Sequence, residues 1–230
     1  MSRPGKRDSL GGGRLKVRVK TGKGRTASQK AWLERQLNDP YVHEAKKLGY
    51  RSRAAFKLIE IDDKYHFLKP GGRVVDLGAA PGGWSQVSAT RVKSVDGKGK
   101  VVAIDMHGMD EIAGVTIFKK DFYDEDAPAV LIAALGEKAD VVLSDMASHA
   151  TGHRQTDHIN IIALVEAGYD FAREVLKPGG TYLAKVLRGG TENQLLAAMK
   201  KDFATVRHVK PMASRDDSAE LFVLATGFRG

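Results

Sequence analysis

Apolar and polar positions fall into two alternating patterns along the chain. Short runs rich in Val, Ile and Leu occupy residues 73–77, 101–105, 115–118, 139–143, 181–187, 205–209 and 221–225. Such runs, bounded by Gly, Pro and polar residues, predict buried strands. Between them lie stretches of helical period, predicting helices over 29–37, 41–48, 54–61, 84–92, 127–135, 157–176 and 192–201. Punctuation agrees. Asp39-Pro40 ends the first helix and Pro40 suits the first turn of the second, which Gly49 closes. Ser52 and Thr191 read as N-caps, and Lys69-Pro70-Gly71-Gly72, Asp96-Gly97 and Lys177-Pro178-Gly179-Gly180 read as turns. In the 54–61 helix, Phe56, Leu58 and Ile59 are expected to face the core, with Lys57 beside that stripe. Strand and helix in alternation predict an α/β fold: a mostly parallel seven-stranded sheet with helices on both faces. No internal repeat is evident.

The stretch Val74-Val75-Asp76-Leu77-Gly78-Ala79-Ala80-Pro81-Gly82-Gly83-Trp84 organises the rest. Its strand breaks at Gly78, and residues 78–83 hold no side chain larger than proline, so a ligand can approach the backbone. The helix that follows completes half of a nucleotide-binding unit. Position 80 is Ala, so the loop is not the Gly-x-Gly-x-x-Gly dinucleotide fingerprint, and no phosphate-cradling Gly-x-x-x-x-Gly-Lys-Ser/Thr occurs. These features point to a nucleoside without phosphates. Asp105, ending the second strand, is placed to accept hydrogen bonds from ribose hydroxyls. The plainer alternative is a tight strand-to-helix turn, but two glycines after a proline exceed what a turn requires. Asp76, Asp105, Asp121, Asp145 and Lys185 all fall near carboxyl ends of strands, where open α/β sheets bind ligands. Singly each is also a plausible helix cap or surface charge.

Composition narrows the setting. The 230 residues are 42% hydrophobic, enough for one α/β domain with a tail. The absence of cysteine excludes disulfides, thiolate zinc sites and cysteine nucleophiles. No apolar run reaches the roughly 18 residues of a membrane span, and no apolar segment follows the basic N-terminus as in a secretory signal. A cytoplasmic monomer is the expectation. The net charge of +9 is unevenly placed: residues 1–30 contain ten Lys/Arg and one acid, Asp8, which accounts for the whole excess. Residues 1–28 therefore read as a basic, disordered arm suited to a phosphate backbone, and 29–230 as a single domain. A purely solubilising tail is the alternative. Val17 and Val19 alternate with bases and are expected to form a short strand on a partner.

Four segments carry a family resemblance: Asp76 to Gln86 (Asp-Leu-Gly-Ala-Ala-Pro-Gly-Gly-Trp-Ser-Gln), Arg51 to Leu58 (Arg-Ser-Arg-Ala-Ala-Phe-Lys-Leu), Ser144-Asp145-Met146-Ala147, and Lys185-Val186. In this order they resemble the FtsJ/RrmJ (RlmE) family, from about Asp39 to the C-terminus. The resemblance implies a class I, Rossmann-like methyltransferase. It implies S-adenosylmethionine as methyl donor and a ribose 2′-hydroxyl of large-subunit (23S) ribosomal RNA, most simply a uridine, as acceptor. It also implies that the assembled large ribosomal subunit is the physical substrate. The family's Lys-Asp-Lys-Glu tetrad maps onto Lys57, Asp145, Lys185 and Glu220. Its donor contacts map onto Gly82, Trp84, Asp105, Asp121 and Asp145, and Asp76, Gly78 and Gly83 of the same loop join them as donor-binding candidates. Ser148 stands where the family has proline, so the 148–155 loop is expected to differ. Asp216 and Asp217 make the approach to Glu220 unusually acidic.

These residue types suit the implied chemistry. A ribose hydroxyl must lose its proton to attack a sulfonium methyl, and a lysine assists only when partly neutral, against a free pKa of roughly 10.4. Burial and a second lysine lower that value, and carboxylates raise it. Lys185 is the candidate base, with Lys57 and Glu220 positioning it and the ribose, and Asp145 between donor and acceptor. A weaker version has no true base, in-line alignment doing most of the work. No metal is expected: His149, His153 and His158 have Gly152 among them and no thiolate partners. Trp84 is a candidate for stacking on adenine, or for the core with only its backbone at the donor. Lys46, Lys47, Arg51 and Arg53, lying between Tyr41 and Tyr50, form a candidate RNA face or a merely solvated helix face. The rival functions are 2′-O-methylation of transfer RNA or an mRNA cap, and a non-catalytic RNA-binding assembly factor.

Overall fold

Buried aliphatic residues on both faces of a strand require cover on both sides, and the central strands have it. In the computed structural model, which describes residues 17–19, 24, 26–148, 152–188 and 193–230, β1 (Arg73–Leu77), β2 (Lys100–Asp105) and β4 (Ala139–Ser144) are buried along almost their whole length. With β3 (Val115–Lys119), β5 (Leu176–Leu187), β6 (Phe203–Val209) and β7 (Glu220–Phe228) they form one seven-stranded sheet, ordered β3-β2-β1-β4-β5-β7-β6. β7 alone runs against its neighbours. Side chains alternate between two hydrophobic clusters. Val74, Val101 and Val141 join a cluster with Leu58, Ile61, Trp84 and Val87, from α3 (Ala54–Tyr65) and α4 (Gly83–Val92). Val75, Val102 and Val142 join the opposite cluster. There α5 (Ala127–Leu135), α6 (Arg154–Val175) and α7 (Asn193–Asp202) supply Leu131, Val165 and Met199. The strand order reverses between β1 and β4, which opens a crevice at their carboxyl ends.

Several boundaries differ from expectation for local reasons. α1 (Ala27–Asn38) starts two residues early because Thr26 and Gln29 form a reciprocal capping box. The predicted arm of residues 1–28 thus overlaps α1, and most of it lies outside the described residues. Within the single chain, the backbone amides of Val17 and Val19 donate to Asn38 and Glu34 of α1, at 2.8 and 3.0 Å. α2 (Pro40–Leu48) carries Pro40 at its start and ends on Gly49 in the left-handed region, as expected. Ser52 does not cap α3. Arg53 takes that position, in helical conformation and without a side-chain cap bond, while the Ser52 hydroxyl is buried without a partner. The buried face of α3 is Ala55, Leu58 and Ile61, whereas Phe56 packs with Tyr41 and Tyr50, at ring-centroid distances of 5.4 and 5.8 Å. β5 begins at Leu176, ahead of the predicted turn at 177–180, which remains as a bulge within the strand: Leu176 pairs with Ala139 but Thr181 with Val141, and Gly179 has φ +85°. The predicted cap Thr191 lies outside the described residues.

Candidate active site

Two loops meet at the mouth of the crevice. Gly78, leaving β1 with φ +73°, donates its N–H to Ile104 O on β2. The Asp145 N–H, leaving β4, donates to Leu77 O at 3.0 Å. A Cβ on Gly78 would stand 2.7 Å from Met146 Cα, so glycine lets the two loop backbones touch. Beside them opens a cavity of about 600 Å³, the size of a small-molecule site. Gly78, Asp105, Asp121, Asp145 and Met146 line it, with Tyr123 and Met106 more than half exposed at its edge.

Asp105 is held rigidly. Its Oδ2 accepts from Ala80 N at 2.9 Å and its Oδ1 from His107 N at 2.7 Å. Asp121 Oδ1 accepts from Tyr123 N at 3.0 Å. Each carboxylate oxygen has more than one acceptor lobe, so both acids stay able to receive hydroxyl or amine donors in the cavity. A cavity lined both by acids and by the apolar side chains of Met146 and Leu164 fits a nucleoside methyl donor.

Not every donor candidate faces that cavity. Asp76 is fully buried on the α4 side of the sheet, where its Oδ2 accepts from Ser85 Oγ at 2.6 Å. Burial pushes its carboxyl up to about 7; the Ser85 hydroxyl opposes this, and Asp145 and Asp105 add to it. Trp84 is 2% exposed. Its indole Nε1 donates to Ala54 O and its ring packs on Phe222, so it is a core residue and its ring is not available to stack on a ligand. Gly82 and Gly83 do not line the cavity either. A Cβ on Gly82 would meet Ile112 Cδ1 at 2.5 Å, and one on Gly83 would meet Ser52 Oγ at 2.5 Å. Their smallness lets the start of α4 pass close to Ile112 and to the residues just before α3.

The four tetrad candidates come together as two ion pairs. Lys57, from α3, donates to Glu220 Oε2 at 2.7 Å and lies 2.7 Å from Oε1, although 163 residues separate them. Lys185, near the end of β5, donates to Asp145 O at 2.7 Å and stands 3.1 Å from Asp145 Oδ1. That oxygen is buried, with no aligned hydrogen bond. Burial alone would raise the Glu220 carboxyl, but Lys57, Ser214 and Lys185 outweigh it and hold it below the usual range. Lys185 therefore acts electrostatically on both acids. Asp145 belongs to the cavity and to an ion pair, which joins the glycine-loop crevice to Lys185.

The basic cluster divides. Lys46 and Lys47 are exposed, and Lys47 lies 3.6 Å from Glu44. Arg51 and Arg53 are engaged by other parts of the chain: Arg51 donates to the carbonyls of Asp110 and Glu111, both at 2.6 Å, and Arg53 lies 3.0 Å from Asp39. Ser214, whose hydroxyl donates to Glu220 Oε1 at 2.9 Å, carries no mark in the sequence, because nothing in a polar loop sets one serine above another. Among the described residues, no group of three His, Asp or Glu side chains converges as a metal site, and no helix is long and apolar enough to cross a membrane. His149 lies outside those residues.

Comparison with known proteins agrees with this geometry. The chain matches FtsJ-like methyltransferases over residues 50–228. It is 65% identical, over 218 residues, to Ribosomal RNA large subunit methyltransferase E of Nitrobacter hamburgensis, covering 95% of this chain and 96% of that one. It is 66% identical to the protein of the same name from Bradyrhizobium diazoefficiens, with the same coverage. Among solved structures, one described as a ribosomal RNA methyltransferase from Plasmodium falciparum superposes with a TM-score of 0.69 at 32% identity, covering 79% of this chain and 100% of that one. The N-methyltransferase NodS of Bradyrhizobium japonicum shares the fold, with a TM-score of 0.51 at 11% identity over 84% of this chain and 99% of that one. The sheet order, the crevice and these likenesses agree: the chain belongs to the FtsJ-like methyltransferase family, with the class I methyltransferase fold.

Proposed function

We propose that this protein methylates a ribose 2′-hydroxyl, that of a uridine in 23S ribosomal RNA, using S-adenosylmethionine, with the assembled large subunit as its acceptor. The observation that carries this reading is Asp145, which lines the cavity and stands 3.1 Å from Lys185 Nζ. Asp105 and Asp121 would hold the donor's hydroxyl and amine groups, and Gly78 would leave room for it. When bound, the donor supplies an electrophilic methyl group on a sulfonium. Lys185 Nζ, anchored by the Asp145 carbonyl, would hold the 2′-hydroxyl and, in its neutral amine form, take the proton as the oxygen bonds to the methyl and the sulfur leaves as a thioether. The Lys57–Glu220 pair would fix the sugar beside it. Two large-subunit relatives at 65 and 66% identity favour this acceptor over transfer RNA or an mRNA cap. Acting on ribosomes, the enzyme would work in the cytoplasm.

The test is tritium transfer from labelled donor to large subunits lacking the modification, followed by mapping of the alkali-resistant nucleotide. Lys185→Ala should lower transfer by at least about 100-fold, the usual contribution of a positioned acid–base group, while donor binding and melting temperature persist. Normal transfer by a folded Lys185→Ala protein would remove Lys185 from the reaction.

A further inference from the structure

Glu220 is the tetrad member furthest along the chain, and its placement depends on the loop before it. Ala213 is wholly buried, and both of its backbone groups are bound by α3 side chains or by the residue that opens that helix. Its N–H donates to Glu60 Oε2 at 3.1 Å, and its carbonyl accepts from Arg53 Nη2 at 2.6 Å. Arg53, Lys57 and Glu60 share one face of the helix, being four and three residues apart. One helical face therefore carries a tetrad lysine and the two side chains that grip the loop. Asp39 reinforces the grip, standing 3.0 Å from Arg53 Nε and 3.2 Å from Arg215 Nη2. The next residue, Ser214, is 3% exposed and gives its hydroxyl to Glu220 Oε1 at 2.9 Å. Lys57 approaches the same carboxylate from α3, within 2.7 Å.

We propose that Ser214 is a positioning residue for methyl transfer, fixing the Glu220 carboxylate against Lys57 from a loop clamped to α3 by Arg53 and Glu60. This rests on the functional reading above. Without the hydroxyl, Glu220 Oε1 loses a buried donor and the carboxylate is free to rotate, carrying Lys57 with it. Donor and RNA contacts elsewhere are untouched. Ser214→Ala should lower kcat about tenfold, the loss expected for one hydrogen bond to a charged group. The KM for each substrate should stay within about twofold, because the lost bond acts at the reacting centre and not in binding. Ser214→Thr, which keeps the hydroxyl, should recover most of kcat.

Methyl transfer, donor affinity and melting temperature measured together on the three proteins decide the matter. An undiminished kcat in Ser214→Ala overturns the proposal and leaves the function intact. So does a fall in kcat that merely tracks lost stability, or a Thr variant as slow as Ala at wild-type melting temperature. Wild-type protein that transfers no methyl to ribosomal substrates overturns the functional reading and the proposal together.

Discussion

Near the end of β1, Asp76 accepts a hydrogen bond from Ser85 on Oδ2 and leaves Oδ1 buried without a partner. Its carboxyl, ordinarily at 3.8, is pushed up to about 7, burial being the largest cause. The folded protein thus keeps a proton that the unfolded chain releases above about pH 4. Stability therefore falls as pH rises from about 4 to about 7, and the contribution levels off beyond that. A shift of this size corresponds to about 4 kcal/mol. Urea unfolding of Asp76→Asn, without donor, should show a flatter dependence over that window than the wild type. An unchanged slope would mean that Asp76 ionises normally in the fold. Glu220 has the opposite sign: held below its ordinary range by Lys57, Ser214 and Lys185 against the effect of burial, it adds stability at neutral pH that is lost as its carboxyl is protonated in acid.

The exits of β1 and β4 show how one small residue sets the geometry of two elements. Gly78→Ala would force a left-handed residue and drive a Cβ to 2.7 Å from Met146 Cα, so backbone must shift. The expected cost is about 1–3 kcal/mol, together with at least a tenfold loss of donor affinity, since both loops line the cavity. Gly97→Ala is the control: φ is +71° but nothing lies within 4 Å of the added atom. It should cost about 1 kcal/mol and leave donor affinity unchanged. Calorimetric titration with donor separates the two; equal affinity in Gly78→Ala would show that the loops are free to part. Most helices and strands are legible from periodicity and caps. The exceptions have tertiary causes. Residues 177–180 carry a turn sequence and do bulge, yet they lie inside β5 because Leu176 before them also pairs with β4, at Ala139. Ser52 carries a capping side chain but is packed against Gly83 instead.

Across the whole molecule, charge is divided by region. Residues 1–25 hold nine Lys/Arg and one acid, leaving 28 bases and 27 acids in the remainder. Removing residues 1–25 keeps Thr26 and its capping box. The truncated protein should bind ribosomal RNA more weakly, and its affinity should depend less steeply on salt. The slope of log affinity against log salt should shrink by about 0.7–0.9 for each phosphate that the arm no longer neutralises. Filter binding between about 50 and 200 mM salt measures this. An identical slope would assign the arm to solubility alone.

Periodicity, glycine placement and short motifs determined the fold class and the end of the sheet where a ligand is expected, and the family resemblance singled out Lys57, Asp145, Lys185 and Glu220 as candidates. Those signals are local: a period reports that a face is buried, and a glycine reports that space is scarce. Neither says what lies opposite. Only the tertiary structure decided that Lys57 meets Glu220 and Lys185 meets Asp145, that Trp84 points into the core, and that Arg51 and Arg53 brace loops. Each of these partners is distant in sequence. An ion pair or a packed ring depends on which surfaces the sheet order brings face to face, which no single stretch of chain contains.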